Sequence, residues 1–187
     1  MIIIWITWTL GAGKGTIVDY LVQKKWFHHF SVRAYLIEEI ERRAMPINRD
    51  SMVSVANDLR ATYGPAYIIE QLYAKARTGK KNTIIESIRA VGEVDALQGK
   101  ENFYLFAIDA NPQIRYERVV LRWSETDKIS YEEFIMNEKR EMNNTDPTKQ
   151  NIAKCMQLAD YILTNNWTFA SLYQQIEDVL NDSKFKL

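Results

Sequence analysis

Three of the chain's seven glycines crowd around one lysine in Leu10-Gly-Ala-Gly-Lys-Gly-Thr16, directly behind the apolar, β-branched run Ile2 to Thr7. A strand that runs into glycines and then a helix aims free backbone N–H groups at one point, where the helix dipole favours an anion. Glycine suits such a turn because the chain must take φ > 0 and approach phosphate oxygens closely. Gly11, Ala12, Gly13 and Gly15 would form the cradle. Lys14 is placed to reach the outer phosphates of a triphosphate, and Thr16 to hold Mg²⁺ or a phosphate oxygen. The plainer alternative is a glycine-rich turn with an exposed lysine, and the strand-then-helix setting argues against it. Trp8 is the odd residue, since such loops usually open with glycine. A side chain of that size at a site of glycine geometry is expected to strain the backbone or crowd the phosphates.

A transferring phosphoryl group spreads negative charge, and arginine neutralises it with a bidentate fork. Arg115, Arg118 and Arg122 recur at i, i+3 and i+7, on one face of a helix. The alternative is a solvated face paired with Glu117 and Glu138. Other residues invite over-reading. His28 and His29 would point apart on a strand, and a surface turn is expected rather than a metal site. Asp109 is expected to cap the turn into Asn111-Pro112 rather than act as a Walker-type acid. Tyr63, Tyr67 and Tyr73 are expected to pack helices, although a base could stack on them.

These residues need elements to position them. Behind Lys14, Ile17, Val18, Leu21 and Val22 recur at helical spacing. A short strand is expected near 29–32, then helices near 34–44, 49–63 and 66–78, the last two divided by Gly64-Pro65. Thr83 to Glu86 and Phe103 to Asp109 read as strands, Asn111-Pro112 opens a helix to about 123, and Tyr161 to Thr164 reads as a fifth strand. Ser130 and Glu133 have capping-box spacing. Phe169, Leu172, Tyr173, Ile176, Val179 and Leu180 form one apolar stripe of a final helix. Strands alternating with helices predict a parallel α/β sandwich with its ligand at the carboxyl ends of the strands.

The 187 residues suggest one domain, and 47% hydrophobic with 26% charged residues is ordinary globular composition. Zero formal net charge gives no ground for a nucleic-acid or anionic-membrane surface. The single cysteine, Cys155, rules out an internal disulfide or a CxxC site and fits a cytoplasmic setting. Met1 to Leu10 is too short to span a bilayer and lacks a basic leading segment, so a buried strand is expected.

LGAGKGT resembles the loop of adenylate kinases and related nucleoside monophosphate kinases. Residues 31–73, "IIESIRAVGEVDAL" and "ADYILTNNWTFASLYQQI" resemble a branch that contains dephospho-coenzyme A kinases and archaeal adenylate-kinase-related proteins. The resemblance implies a three-layer α/β/α P-loop NTPase fold with a parallel sheet of about five strands. It also implies a helical acceptor-binding region at 34–78 and a lid at 123–146. By the same resemblance Arg118 covers adenine, Arg122 reaches the phosphates, Arg140 returns from the lid, and Arg89 takes the acceptor phosphate. Glu86 stands where the family has aspartate, and would place Mg²⁺ with Thr16. Ser87 and Trp167 stand where the family often has glycine. Arg33, at the mouth of the site, and Arg60, with Arg49 on the same helix face, are candidate acceptor ligands.

The implied reaction moves the γ-phosphoryl of ATP, as its Mg²⁺ complex, to a nucleoside or deoxynucleoside monophosphate, with dephospho-coenzyme A as the rival acceptor. A nucleotide-binding module impaired by Trp8 is the reading from another class. The expected partner is a nucleotide-like small molecule, with neither nucleic acid nor membrane, in a monomer or homodimer.

Overall fold

The computed structural model describes residues 1–122, 129–144 and 149–183, with only the backbone of Arg49. Its centre is one five-stranded, all-parallel sheet in the order β2-β3-β1-β4-β5. The strands are β1 (Ile3–Trp8), β2 (His28–Ser31), β3 (Thr83–Glu86), β4 (Phe103–Asp109) and β5 (Tyr161–Thr164). α1 (Lys14–Lys25) follows β1, and α2 (Val32–Arg42), α3 (Arg49–Tyr63) and α4 (Tyr67–Gly79) lie between β2 and β3. The later helices are α5 (Val91–Leu97), α6 (Pro112–Leu121), α7 (Tyr131–Met142), α8 (Ile152–Gln157) and α9 (Phe169–Leu180).

β1 is flanked by strands and covered on both faces, which is why its sequence is a continuous apolar run rather than an alternating one. The pleat sends its residues alternately to two cores. Ile4 and Ile6 meet Ile17 and Leu21 of α1 and Leu172 and Ile176 of α9. Ile3 and Trp5 meet Ile69 and Leu72 of α4, Val94 of α5 and Cys155 of α8. A third cluster, Leu36, Ile40, Val55, Leu59 and Ile68, binds α2, α3 and α4 to one another.

Strands three, four and five have the expected limits, while the first runs one residue further than Ile2 to Thr7 and takes in Trp8. The second strand begins at His28, so the histidine pair lies on an edge strand and not in a turn. Gly64 ends α3 at φ 107°, its N–H bonded to the Arg60 carbonyl, before the chain restarts at α4. The capping box forms as spaced: Glu133 N–H donates to Ser130 Oγ, and Ser130 N–H to Glu133 Oε2. Tyr63 and Tyr67 stack on each other at 4.4 Å. Of the expected lid, 123–128 and 145–146 lie outside the described residues, and the described part holds α7. No helix among the described residues is long and apolar enough to cross a membrane.

Candidate active site

The turn from β1 to α1 is shaped by two glycines at positive φ whose Cβ positions are already occupied. Gly11 has φ +81°, and a Cβ there would stand 2.4 Å from the Arg115 carbonyl oxygen. Gly13 has φ +96°, and a Cβ would stand 2.2 Å from the Asn165 amide. Gly15 differs: a Cβ there would meet open space, so the fold itself does not demand glycine at that position. Side chains from the far half of the sheet fasten the loop. Asn165 Nδ2 donates to the Ala12 carbonyl at 2.8 Å, and Arg115 Nη1 donates to the Leu10 carbonyl at 3.2 Å. Thr9 Oγ1 donates to Asp109 Oδ1 at 2.5 Å. Asp109 therefore does not cap α6; the Asn111 side chain does, accepting from Gln113 N–H at 2.9 Å. Asp109 instead holds Thr9 and lies 3.4 Å from Arg115 Nε. α1 has no acidic residue in its first turn, so its positive end is left for a ligand.

A cavity of about 340 Å³ opens on this helix end, lined by the loop glycines, Lys14, Thr16, Arg118, Arg122 and Phe169. Arg118 brings a buried Nη1 that has no hydrogen-bond partner among the described residues, and burial depresses its pKa. Arg115 turns away: only 3% exposed, it pairs with Glu138 and braces the loop, which breaks up the expected three-arginine face. Phe169 is the member of the final apolar stripe that leaves the core, 61% exposed beside the cavity. Ala12 is fully buried, and it offers its carbonyl to Asn165 rather than a surface to the cavity.

Lys14 forms an ion pair with Glu86. Burial is the largest influence lowering its pKa, followed by the charges of Arg89 and Arg122. The other Glu86 oxygen lies 3.4 Å from His29 Nε2. The His29 pKa is lowered, first by burial and then by Lys14. Ser87, next in the chain, holds φ +96°, so the glycine conformation persists at a serine. Trp8 does the opposite of what its position suggests. It ends β1 in register with Ile108 and is not among the residues at positive φ, so the expected backbone strain is absent. Its ring packs on the core and receives Lys14 at 4.9 Å and Arg89 at 4.8 Å from the centroid.

A second cavity, about 860 Å³, lies between α2, α3, the segment from β3 into α5, and α7. Leu36, Met52 and Ala56 contribute apolar lining, and Arg60, Arg89 and Arg140 contribute charged lining. Arg89 also reaches Gln150 at 3.3 Å and Glu141 at 3.7 Å. Exposed Arg140 donates to Asn137 one turn back and borders this cavity, not the loop cavity. Arg33 lines neither; it is exposed, with Nη1 3.6 Å from Met52 Sδ. Glu93 is buried at the cavity edge and accepts from the N–H groups of Arg89 at 2.9 Å and Ala90 at 3.2 Å. Burial raises its pKa, and those two N–H bonds only partly offset the rise.

Of the nucleotide-binding group offered by the sequence, Gly11, Gly13, Lys14, Gly15, Thr16 and Arg118 line the smaller cavity and Ala12 does not, while Arg122, offered for catalysis, lines it as well. Asn165 and Glu93 were missed, and His29 was set aside as part of a surface turn. Asn165 had a readable signal, being a polar residue just past the carboxyl end of a strand, where α/β ligands gather. Glu93 had none, because it is not near the loop in sequence.

No protein-family model matches the sequence. A UPF0200 protein of Thermococcus sibiricus is 29% identical over 173 residues, covering 89% of this chain and 87% of that protein. A UPF0200 protein of Pyrococcus horikoshii is 27% identical over 177 residues, 91% of each chain. Among solved structures, TT1252 from Thermus thermophilus aligns at TM-score 0.65 and 17% identity, over 97% of both chains. Shikimate kinase from Acinetobacter baumannii, in complex with shikimate, aligns at TM-score 0.60 and 12% identity, over 100% of this chain and 96% of its own. Dephospho-CoA kinase from Campylobacter jejuni aligns at 0.54 and 14%, over 96% of each.

The fold is that of the P-loop kinases. A P-loop kinase fold places the glycine turn after its first strand at the carboxyl edge of a parallel sheet. The β1–α1 turn stands there in this chain.

Proposed function

We propose that this chain transfers the γ-phosphoryl group of ATP to a nucleoside or deoxynucleoside monophosphate. The observation that carries the reading is the meeting of the two cavities. Lys14 lines the smaller, Arg89 the larger, and both cations lie within 5 Å of the Trp8 ring centroid. The triphosphate is assigned to the smaller cavity, because an acid-free helix end, Lys14 and an Arg118 Nη1 with no partner among the described residues all favour an anion. Leu121 and Phe169 give that cavity an apolar lip for a base. Thr16 and Glu86 would hold Mg²⁺, which typically takes one or two protein oxygens together with substrate phosphates. When bound, the ion neutralises charge on the phosphates.

The chain's own groups do the rest. The loop amides, Lys14, Arg118 and Arg122 hold the donor in line and offset charge as the bond from the γ-phosphorus to the β,γ-bridging oxygen breaks. Arg89, Arg60 and Arg140 hold the acceptor phosphate, whose oxygen forms the new bond, and ADP leaves. No protein nucleophile is needed. Arg33 is left at the rim, where it steers anions rather than binding them.

The apolar lining of Leu36, Met52 and Ala56 supports dephospho-coenzyme A as a second reading, since that acceptor carries a long, partly apolar arm. A coupled assay with ATP, Mg²⁺, a panel of monophosphates and dephospho-coenzyme A decides between them. The expected result is ADP formation that depends on a monophosphate and disappears in Lys14→Ala. Turnover with dephospho-coenzyme A alone would replace the first reading with the second. Nucleotide binding with no turnover would make the chain a binding module.

A further inference from the structure

We propose that Trp8 is a positioning residue, holding the donor-side cation Lys14 and the acceptor-side cation Arg89 on one aromatic ring. The inference rests on the phosphoryl-transfer reading of the two cavities. Lys14 Nζ lies 4.9 Å and Arg89 Cζ 4.8 Å from the ring centroid, both inside the roughly 6 Å reach of a cation–π contact.

Converging cations are what a phosphoryl-transfer site needs, and they are also what an unfilled site resists. Arg89 and Arg122 both act to depress the Lys14 pKa, which expresses that repulsion. Glu86 offsets part of it for Lys14, and Glu141, 3.7 Å away, part of it for Arg89. A further carboxylate between the two cations would repel the phosphates it helped to gather. An indole has no net charge, yet its face attracts both cations, and tryptophan is the strongest such partner among the side chains.

The ring is also better fixed than the groups it holds. Trp8 ends β1 in register with Ile108 and packs on the core cluster of Ile4, Ile6 and Ile17. Lys14 and Arg89 are long side chains on α1 and on the segment between β3 and α5, with many rotamers to lose. Glycine at position 8 would leave both to find their places unaided. The departure from the usual loop pattern thus does work at the junction of the two substrates.

Two substitutions separate positioning from packing. Phe at position 8 keeps an aromatic face, while Leu keeps apolar bulk without one. Trp8→Leu is expected to lower kcat at saturating ATP and acceptor by roughly 10-fold, and Trp8→Phe by less than about 3-fold, with similar melting temperatures for the two. Equal losses in both, or a faster enzyme in Trp8→Gly, would overturn the proposal.

A second measurement needs no turnover. In protein labelled with 5-fluorotryptophan, the resonance missing from Trp8→Phe belongs to Trp8, and Lys14→Met and Arg89→Met should each shift it. A resonance unmoved by both would overturn the proposal whatever the activity. Movement in both, in a wild type that phosphorylates no acceptor, would sink the phosphoryl-transfer reading and uphold the seating of both cations on Trp8.

Discussion

The two cavities are built by different means. The loop cavity is mainly backbone: Gly11 and Gly13 at positive φ, a helix end, and carbonyls pinned by Asn165 and Arg115. The larger cavity is mainly side chains on α2, α3 and α7, apolar groups together with arginines. Backbone and charge suit a group common to many donors, whereas side chains on helices can be exchanged without disturbing the sheet. On the proposed reading, the first is intolerant of change and generic, and the second is tolerant and selective.

Lys14→Ala should be the severest test of that contrast, lowering kcat by roughly 10²- to 10³-fold, as loss of a charge-stabilising donor does. Steady-state kinetics with melting curves would separate it from unfolding. Gly11→Ala follows. Its Cβ would strike backbone and its φ is +81°, so a loss of about 2–4 kcal/mol is expected by denaturant unfolding. The same exchange at Gly15, where a Cβ meets open space, should leave stability within about 0.5 kcal/mol.

Arg118→Ala and Arg89→Ala probe the division of labour directly. Removing a charged hydrogen-bonding group from one pocket should raise KM by roughly 10-fold, for ATP in the first and for the acceptor in the second. If either variant raised both equally, the cavities would not be separate subsites. Ser87→Gly should stabilise the protein by about 1 kcal/mol, because serine holds φ +96° there. A melting shift in the opposite direction would mean that the serine side chain contributes more than the strain removes.

The last test concerns pH. The Glu93 pKa is raised above its ordinary 4.5, so folding favours its protonated form. Its contribution is fully present below 4.5 and is lost as pH rises through the higher folded value. Glu93→Gln keeps an acceptor for the Arg89 and Ala90 N–H groups and removes the titration. Its stability should fall less than that of the wild type between pH 4.5 and 8, as read by urea unfolding.

Much of the fold was legible because burial on both faces writes itself locally, as the β-branched run Ile2 to Thr7, the apolar run Phe103 to Ile108 and helical stripes such as Leu172, Ile176 and Leu180. α5 and α8 were not read. They have seven and six residues, too few for a period to show, and α5 includes Gly92. Within the site, the loop was legible because its residues are contiguous. Arg115 was left between a phosphate-facing and a glutamate-paired reading, because helical spacing specifies a face and not what covers it; Glu138, one of the two glutamates offered, and the Leu10 carbonyl cover it.

Sequence by itself determined the alternation of strands and helices, the glycine turn and the phosphate chemistry it suits, since all three depend on neighbours within a few residues. Only the tertiary structure decided what Trp8 does. One extra residue of strand register turned an expected backbone strain into a seated ring. That ring meets Lys14 six positions away in the chain and Arg89 from beyond β3, a distance in sequence that no local pattern spans.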